Sequence, residues 1–154
     1  MSRQKNAIRQ HFIADVDPKD INTAPAEGEY FELAKWITDI EDATDENVED
    51  YADYAGDGTP KSEVISIKEA YDVTGTYDPT DPAQRLVASK KRLLGEGRKV
   101  WHKIITADGT QTAEGIATLS AIITGSGNAA EFEAFSCNIA FDAIPEVTDG
   151  TPKA

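Results

Sequence analysis

The sequence predicts a mainly β fold, an antiparallel β-sandwich or barrel with one flanking α-helix and a long acidic inter-strand loop. Three observations predict it. Segments 64–77 and 131–143 alternate apolar and polar residues with the period of a half-buried strand. Segment 81–95 alone carries helix start signals, a helical apolar stripe and helix stops. Between residues 40 and 60 the chain is rich in acids, Ala, Tyr and Gly and sustains no period at all.

Taken in order, residues 1–15 read as an N-terminal arm, and 31–40 as a strand with Trp36 and Ile37 as anchors. The stretch 41–58 reads as the long acidic loop. In 64–77 the odd positions Ile65, Ile67, Tyr71 and Val73 form the core face, opposite Ser66, Lys68, Asp72, Thr74 and Thr76. At 81–95 Asp81 suits an N-cap, Pro82 the first helical position and Gln84 a capping-box partner, while Gly95 and Gly97 supply stops. The stripe Ala83, Leu86, Val87, Leu93, Leu94 predicts that Leu86 and Leu94 are buried against a sheet. Segments 100–106 and 111–124 form a hairpin about the Asp108-Gly109 turn. Gly125-Ser-Gly-Asn128 turns the chain again, and the last strand places Phe135, Cys137, Ile139 and Phe141 inward with Ser136, Asn138 and Asp142 outward. Residues 146–154 read as a C-terminal tail. A chain of 154 residues can bury a core as a single domain, 1–154, without disulfides or metal.

The formal charge of −13 excludes ordinary nucleic-acid binding, which needs clustered Lys and Arg. Its distribution says more than its total. Residues 39–57 carry nine acids and no base, whereas 85–103 carry Arg85, Lys90, Lys91, Arg92, Arg98, Lys99 and Lys103 against Glu96 alone. No apolar run is long enough to span a bilayer, so no membrane insertion is expected. The basic start with Arg3 and Lys5 is not followed by an apolar segment, so no secretory signal is expected.

Catalytic chemistry finds no support in the sequence. His11 and His102 stand in no ligand motif, and Cys137 sits on the apolar face of a strand, where a thiol is packing rather than a nucleophile. Asp53, Asp57 and Gly58 fit three positions of a calcium loop, but Ala55 and Val64 occupy positions that need oxygen ligands. Gly95-Glu-Gly-Arg-Lys follows a helix and lacks the ending of a phosphate loop. The reading is a non-enzyme with no cofactor and no metal.

Four runs, in order along residues 30–145, resemble the major tail (tail tube) proteins of siphophages infecting Gram-positive bacteria: Tyr51-Ala-Asp-Tyr-Ala-Gly-Asp-Gly-Thr-Pro60, Tyr77-Asp-Pro-Thr-Asp-Pro-Ala-Gln84, Gly95-Glu-Gly-Arg-Lys-Val-Trp101 and Glu133-Ala-Phe-Ser-Cys-Asn-Ile-Ala-Phe-Asp142. The resemblance implies a structural subunit of the virion, made in the host cytoplasm, whose hexameric rings stack into a tube around a tape-measure protein and meet terminator and baseplate or initiator proteins. It implies passage of DNA without specific binding, and a role for the loop 41–58 in joining copies. Asp45, Glu46, Glu49, Asp50, Tyr51 and Tyr54 are the interface candidates on that loop, with Lys90, Lys91, Arg92 and Arg98 as the opposing charge. Ser66, Asp72, Thr74, Ser136, Asn138 and Asp142, the polar strand faces, are the lumen candidates. Two other readings stand beside it: a carbohydrate-binding β-sandwich module using Trp36, Tyr51 and Tyr54 as platforms, and the inner tube of a secretion machine or tailocin.

Overall fold

The computed structural model describes residues 3–149. The expected class is what is found: mainly β, a curled antiparallel half-barrel with one helix. Its strands are β1 (Gln10–Asp15), β2 (Phe31–Glu32), β3 (Ile37–Asp42), β4 (Asp45–Tyr51), β5 (Lys61–Lys68), β6 (Ala70–Thr76), β7 (Lys99–Ile105), β8 (Gln111–Thr124), β9 (Ala134–Phe141) and β10 (Glu146–Asp149). The main sheet runs β2-β1-β7-β8-β9-β6-β3, with β10 also paired to β8, and β4–β5 form a separate two-stranded hairpin. The helix α1 (Pro82–Ser89) lies against the inner face of the curl, touching β1, β2 and β8. No helix among the described residues is long and apolar enough to cross a membrane.

Alternation builds the core. β7 and β9 follow the period of two, so Val100, His102 and Ile104 meet Phe135, Cys137, Ile139 and Phe141 across Ala117 and Leu119 of β8. Ala83 and Val87 of α1 close this core from the other side. Gln84, fully buried, ties the helix down: its Nε2 donates to the carbonyls of Thr76 (3.0 Å) and Lys35 (3.4 Å), and its Oε1 accepts from Asp78 N (2.6 Å). The N-cap is as expected, Asp81 accepting from Gln84 N at 3.2 Å. Gln84 closes no capping box, because its amide is engaged by the sheet end.

Four expectations need correction. The segment 1–15 is not all arm, since Gln10–Asp15 pairs with both β2 and β7 inside the sheet. Its inward residues are His11 and Ile13, and a histidine at a core position hides the alternation. The helix stops at Ser89 rather than at 95: the chain tightens into turns (Lys91 N to Ala88 O, 3.2 Å; Leu93 N to Lys90 O, 3.2 Å), and Arg98 takes the carbonyls of Lys91 and Leu93. Leu94 is therefore 87 % exposed, not buried, while Leu86 packs against the core as expected. Finally, 146–149 is the strand β10, and the rest of the expected tail lies outside the described residues.

The acidic stretch gives the fourth correction. Residues 41–58 are not an irregular loop but the end of β3, all of β4 and the tip of the β4–β5 hairpin. The chain leaves the sheet at Ala43, whose N–H binds Ala70 O at 2.8 Å, and re-enters there, so 64–77 is two strands broken at Glu69. Tyr71 and Val73 point into the core, whereas Ile65 and Ile67 stand 49 % and 41 % exposed on the hairpin. One close approach fixes the β3–β6 junction: a Cβ on Gly75 would lie 2.2 Å from Trp36 O, so only glycine lets β3 approach there.

Candidate assembly surfaces

The hairpin is the first surface. Every residue from 45 to 68 is exposed, and its strands pair only with each other. Asp45, Glu46, Glu49, Asp50 and Tyr51 lie along β4, and Tyr54 sits at the tip. The cross-strand pair Val48–Val64 and the neighbouring Ile67, opposite Glu46, leave an apolar patch open to solvent on one side of the ribbon, between Glu46 and Asp50. At the tip Gly56 N binds Asp53 Oδ1 (3.2 Å), Thr59 N binds Asp57 Oδ1 (2.9 Å), and Gly58 takes φ +87°. The turn is thus held by acids acting as local backbone acceptors. A lone two-stranded ribbon is marginal in water.

The second surface is the outward face of the main sheet. Asp72 pairs with Asn138 and Thr74 with Ser136 across β6 and β9, and β3 adds Glu41 beside Asp72 and Asp39 beside Thr74. Asn138 Nδ2 donates to Asp72 Oδ1 at 2.8 Å. Asp142 accepts from Thr118 Oγ1 (2.6 Å) and Lys99 Nζ (2.6 Å). Five of the six lumen candidates therefore belong to one polar, net-acidic wall. Ser66 does not: it lies on the hairpin, because the strand that joined it to Asp72 in the sequence reading is two strands.

The third surface is the turn after α1, which divides the four basic candidates into two kinds. Lys90 is buried and binds Asp15 Oδ1 at 2.8 Å and Gly97 O at 3.3 Å. Arg98 donates to the carbonyls of Leu93 (2.8 Å), Lys91 (2.5 Å) and Leu119 (3.3 Å). These two cations are internal braces, so neither is the free interface charge expected of it. Lys91 and Arg92 form no ion pair among the described residues, and beside them Leu93 and Leu94 stand out into solvent. The sequence signal for the braces was only their place at a helix end, where cations bind terminal carbonyls.

The buried titratable groups lie inside the curl of the sheet. His11 Nδ1 and His102 Nε2 lie 3.2 Å apart, stacked at 5.4 Å between ring centroids, with Tyr71 edge-on to both. The outer nitrogens, His11 Nε2 and His102 Nδ1, are buried without a hydrogen-bond partner. Burial first, then the neighbouring positive charge, lowers His11 to about 4 and His102 to about 3. Burial, with a smaller push from Asp72, raises the Cys137 thiol to about 12, which leaves it protonated packing. Trp36, Tyr51 and Tyr54 are divided between the start of β3 and the hairpin, and the Trp36 indole N–H is engaged by Asp78 Oδ2 at 3.0 Å.

A curled antiparallel sheet with one plugging helix and a projecting acidic ribbon is a fold that solved structures share. The chain superposes on a subunit of the C6-symmetric, helically refined tail of an empty gene transfer agent particle with a TM-score of 0.67 at 13 % identity, covering 95 % of this chain and 99 % of that one. A chain from the virion of the native gene transfer agent particle matches with a TM-score of 0.66 at 11 % identity, over the same shares. At such identities the likeness is one of fold. No protein-family model matches the chain, and no curated protein matches it in sequence.

Proposed function

We propose that this protein is the structural subunit of a phage-type tail tube, six copies to a ring and rings stacked into a conduit for DNA. The observation that carries the reading is the end-to-end likeness to a chain of a C6-symmetric tail, with neither chain holding a large region the other lacks. The four-run resemblance to siphophage major tail proteins supports the same reading from the sequence. Tape-measure, terminator and baseplate or initiator proteins are its partners, the virion tail is its location, and it makes or breaks no bond.

The polar wall suits the lumen. Asp39, Glu41, Asp72 and Asp142 face outward with Lys99 as the paired cation, so the face repels phosphate. A basic lining would release counterions from DNA and hold it, whereas an acidic one lets it slide. The hairpin suits the contact between copies, because Asp45, Glu46 and Glu49 have no hydrogen-bond or ion-pair partner among the described residues and its apolar patch lies open. Negative-stain microscopy of the purified protein tests the proposal: tubes or six-fold rings are expected, and monodisperse monomers at all concentrations would overturn it. The combined replacement of Asp45, Glu46, Glu49 and Asp50 by Lys is expected to stop tube growth while leaving the circular dichroism spectrum intact. Normal tubes from that variant at low and moderate salt would show that the ribbon's charge has no role.

A further inference from the structure

The turn 91–94 is held as a fixed projection by groups beneath it. Arg98 binds the carbonyls at Lys91 and Leu93, and Lys90 binds the carbonyl of Gly97 while paired to Asp15. Charge-assisted bonds to carbonyls are stronger than neutral ones, and here they anchor backbone on both sides of Leu94. What remains outward is Lys91, Arg92, Leu93 and Leu94: two cations beside two exposed leucines. A leucine 87 % exposed on a braced turn is a rigid apolar knob with nothing in its own subunit to cover it.

The hairpin is its complement. Between Asp45 and Lys68 it carries seven acids against two lysines, and its Val48–Val64 pair with Ile67 forms an uncovered apolar stripe. We infer that the Lys91–Leu94 turn of one copy seats the apolar side of the β4–β5 hairpin of a second copy, Leu94 against Val48, Val64 and Ile67, with Lys91 and Arg92 facing the hairpin's carboxylates. This rests on the tail-tube reading and specifies the partner surface within it. Because the turn is already fixed by Lys90 and Arg98, docking orders only the ribbon, which lowers the entropic cost of the contact. Opposite charge sets the approach and excludes the competing seat. That seat is an aromatic groove of about 280 Å³ lined by Trp36, Tyr77, Pro79 and Phe132. Asp78 also lines it, and Glu131 and Glu133 flank Phe132 in the chain against Lys35 over the Trp36 ring, so an acidic ribbon would meet more carboxylates than cations there.

Cross-linking during assembly tests the contact. In a Cys137→Val background, Val48→Cys, Val64→Cys and Ile67→Cys proteins are each mixed with Leu94→Cys protein, allowed to assemble, and treated with a short bis-maleimide. Covalent dimers are expected from at least one mixture and from none of the single proteins, with at least a five-fold drop in yield when Arg92→Glu and Lys91→Glu are added to the Leu94→Cys partner. Tubes without dimers, or dimers formed with Phe132→Cys in place of Leu94→Cys, would overturn the docking and leave the tail-tube reading standing. No assembly of the parent protein in any condition would overturn both.

Discussion

Acid should destabilise this subunit well before its carboxylates titrate, and the paired histidines supply the magnitude. His11 and His102 are neutral and buried in the fold, with values near 4 and 3, against an unfolded value of 6.5. For a base whose folded value is depressed, the unfolded chain binds more protons. Stability is therefore fully present above about pH 6.5 and is lost as pH falls toward 4. Between those limits the unfolded state holds nearly two extra protons, a slope of about 3 kcal/mol per pH unit. A domain of this size has only about 5–15 kcal/mol in total, so the loss of about 5 kcal/mol at pH 4.5 should remove a third of it or more. Asp42, Asp78 and Asp108, all depressed by hydrogen bonds from threonines, lose their contribution only as pH falls below about 4, in a separate window. The assay is urea unfolding of the unassembled subunit by tryptophan fluorescence at pH 8 to 4.5, beside the double variant His11→Leu/His102→Leu. Each His pair tautomer leaves one donor and one acceptor buried without a partner, so removing both rings should be close to neutral at pH 8 and should abolish most of the slope. A wild-type stability that is flat from pH 7 to 4.5 would refute the reasoning.

Three further outcomes follow from the packing. Gly75→Ala should cost about 3 kcal/mol in thermal or denaturant unfolding, since its new methyl would meet the Trp36 carbonyl, and a loss below 0.5 kcal/mol would show that β3 is not held there. Leu86→Ala, packed on the core, should lose about 2 kcal/mol, while Leu94→Ala should stay within about 0.5 kcal/mol of the parent. Equal losses would contradict the early helix end. Cys137→Val should assemble normally, and the native thiol should react with a maleimide at least a hundred-fold more slowly than in urea; rapid labelling of folded protein would show an accessible thiolate.

The hairpin and the braced turn are also where sequence reasoning and structure part. The alternation Ile65, Ile67, Tyr71, Val73 is continuous on paper, yet its first half lies on an exposed ribbon and its second half in the core. Period two reports which side of a strand is apolar, and both a sheet and a projecting ribbon satisfy it. Ile65 and Ile67 are apolar on an exposed ribbon, so the sequence alone makes them look like core. The run Asp45–Tyr51 looked irregular for the converse reason: acids occupy both sides of the strand, and no packing face remains to show a period.

Local chemistry determined much of this protein from the sequence by itself. The Asp81 cap, the Asp108-Gly109 turn, the one-sided strands β7 and β9, and the inert setting of Cys137 depend on residues adjacent in the chain or on a face repeated every second residue. The Asp72–Asn138 and Thr74–Ser136 wall follows from two such faces. Tertiary structure alone decided which strands share a sheet, and so removed Ser66 from that wall and brought β1 into it with His11 in the core. It also decided which cations are free. Lys90 and Arg98 differ from Lys91 and Arg92 in nothing the sequence displays; they differ in whether Asp15 and the carbonyls of Gly97, Leu93, Lys91 and Leu119 lie within reach. A hydrogen bond needs its partner within about 3 Å, and contacts between residues 75 positions apart exist only once the sheet has curled around its helix.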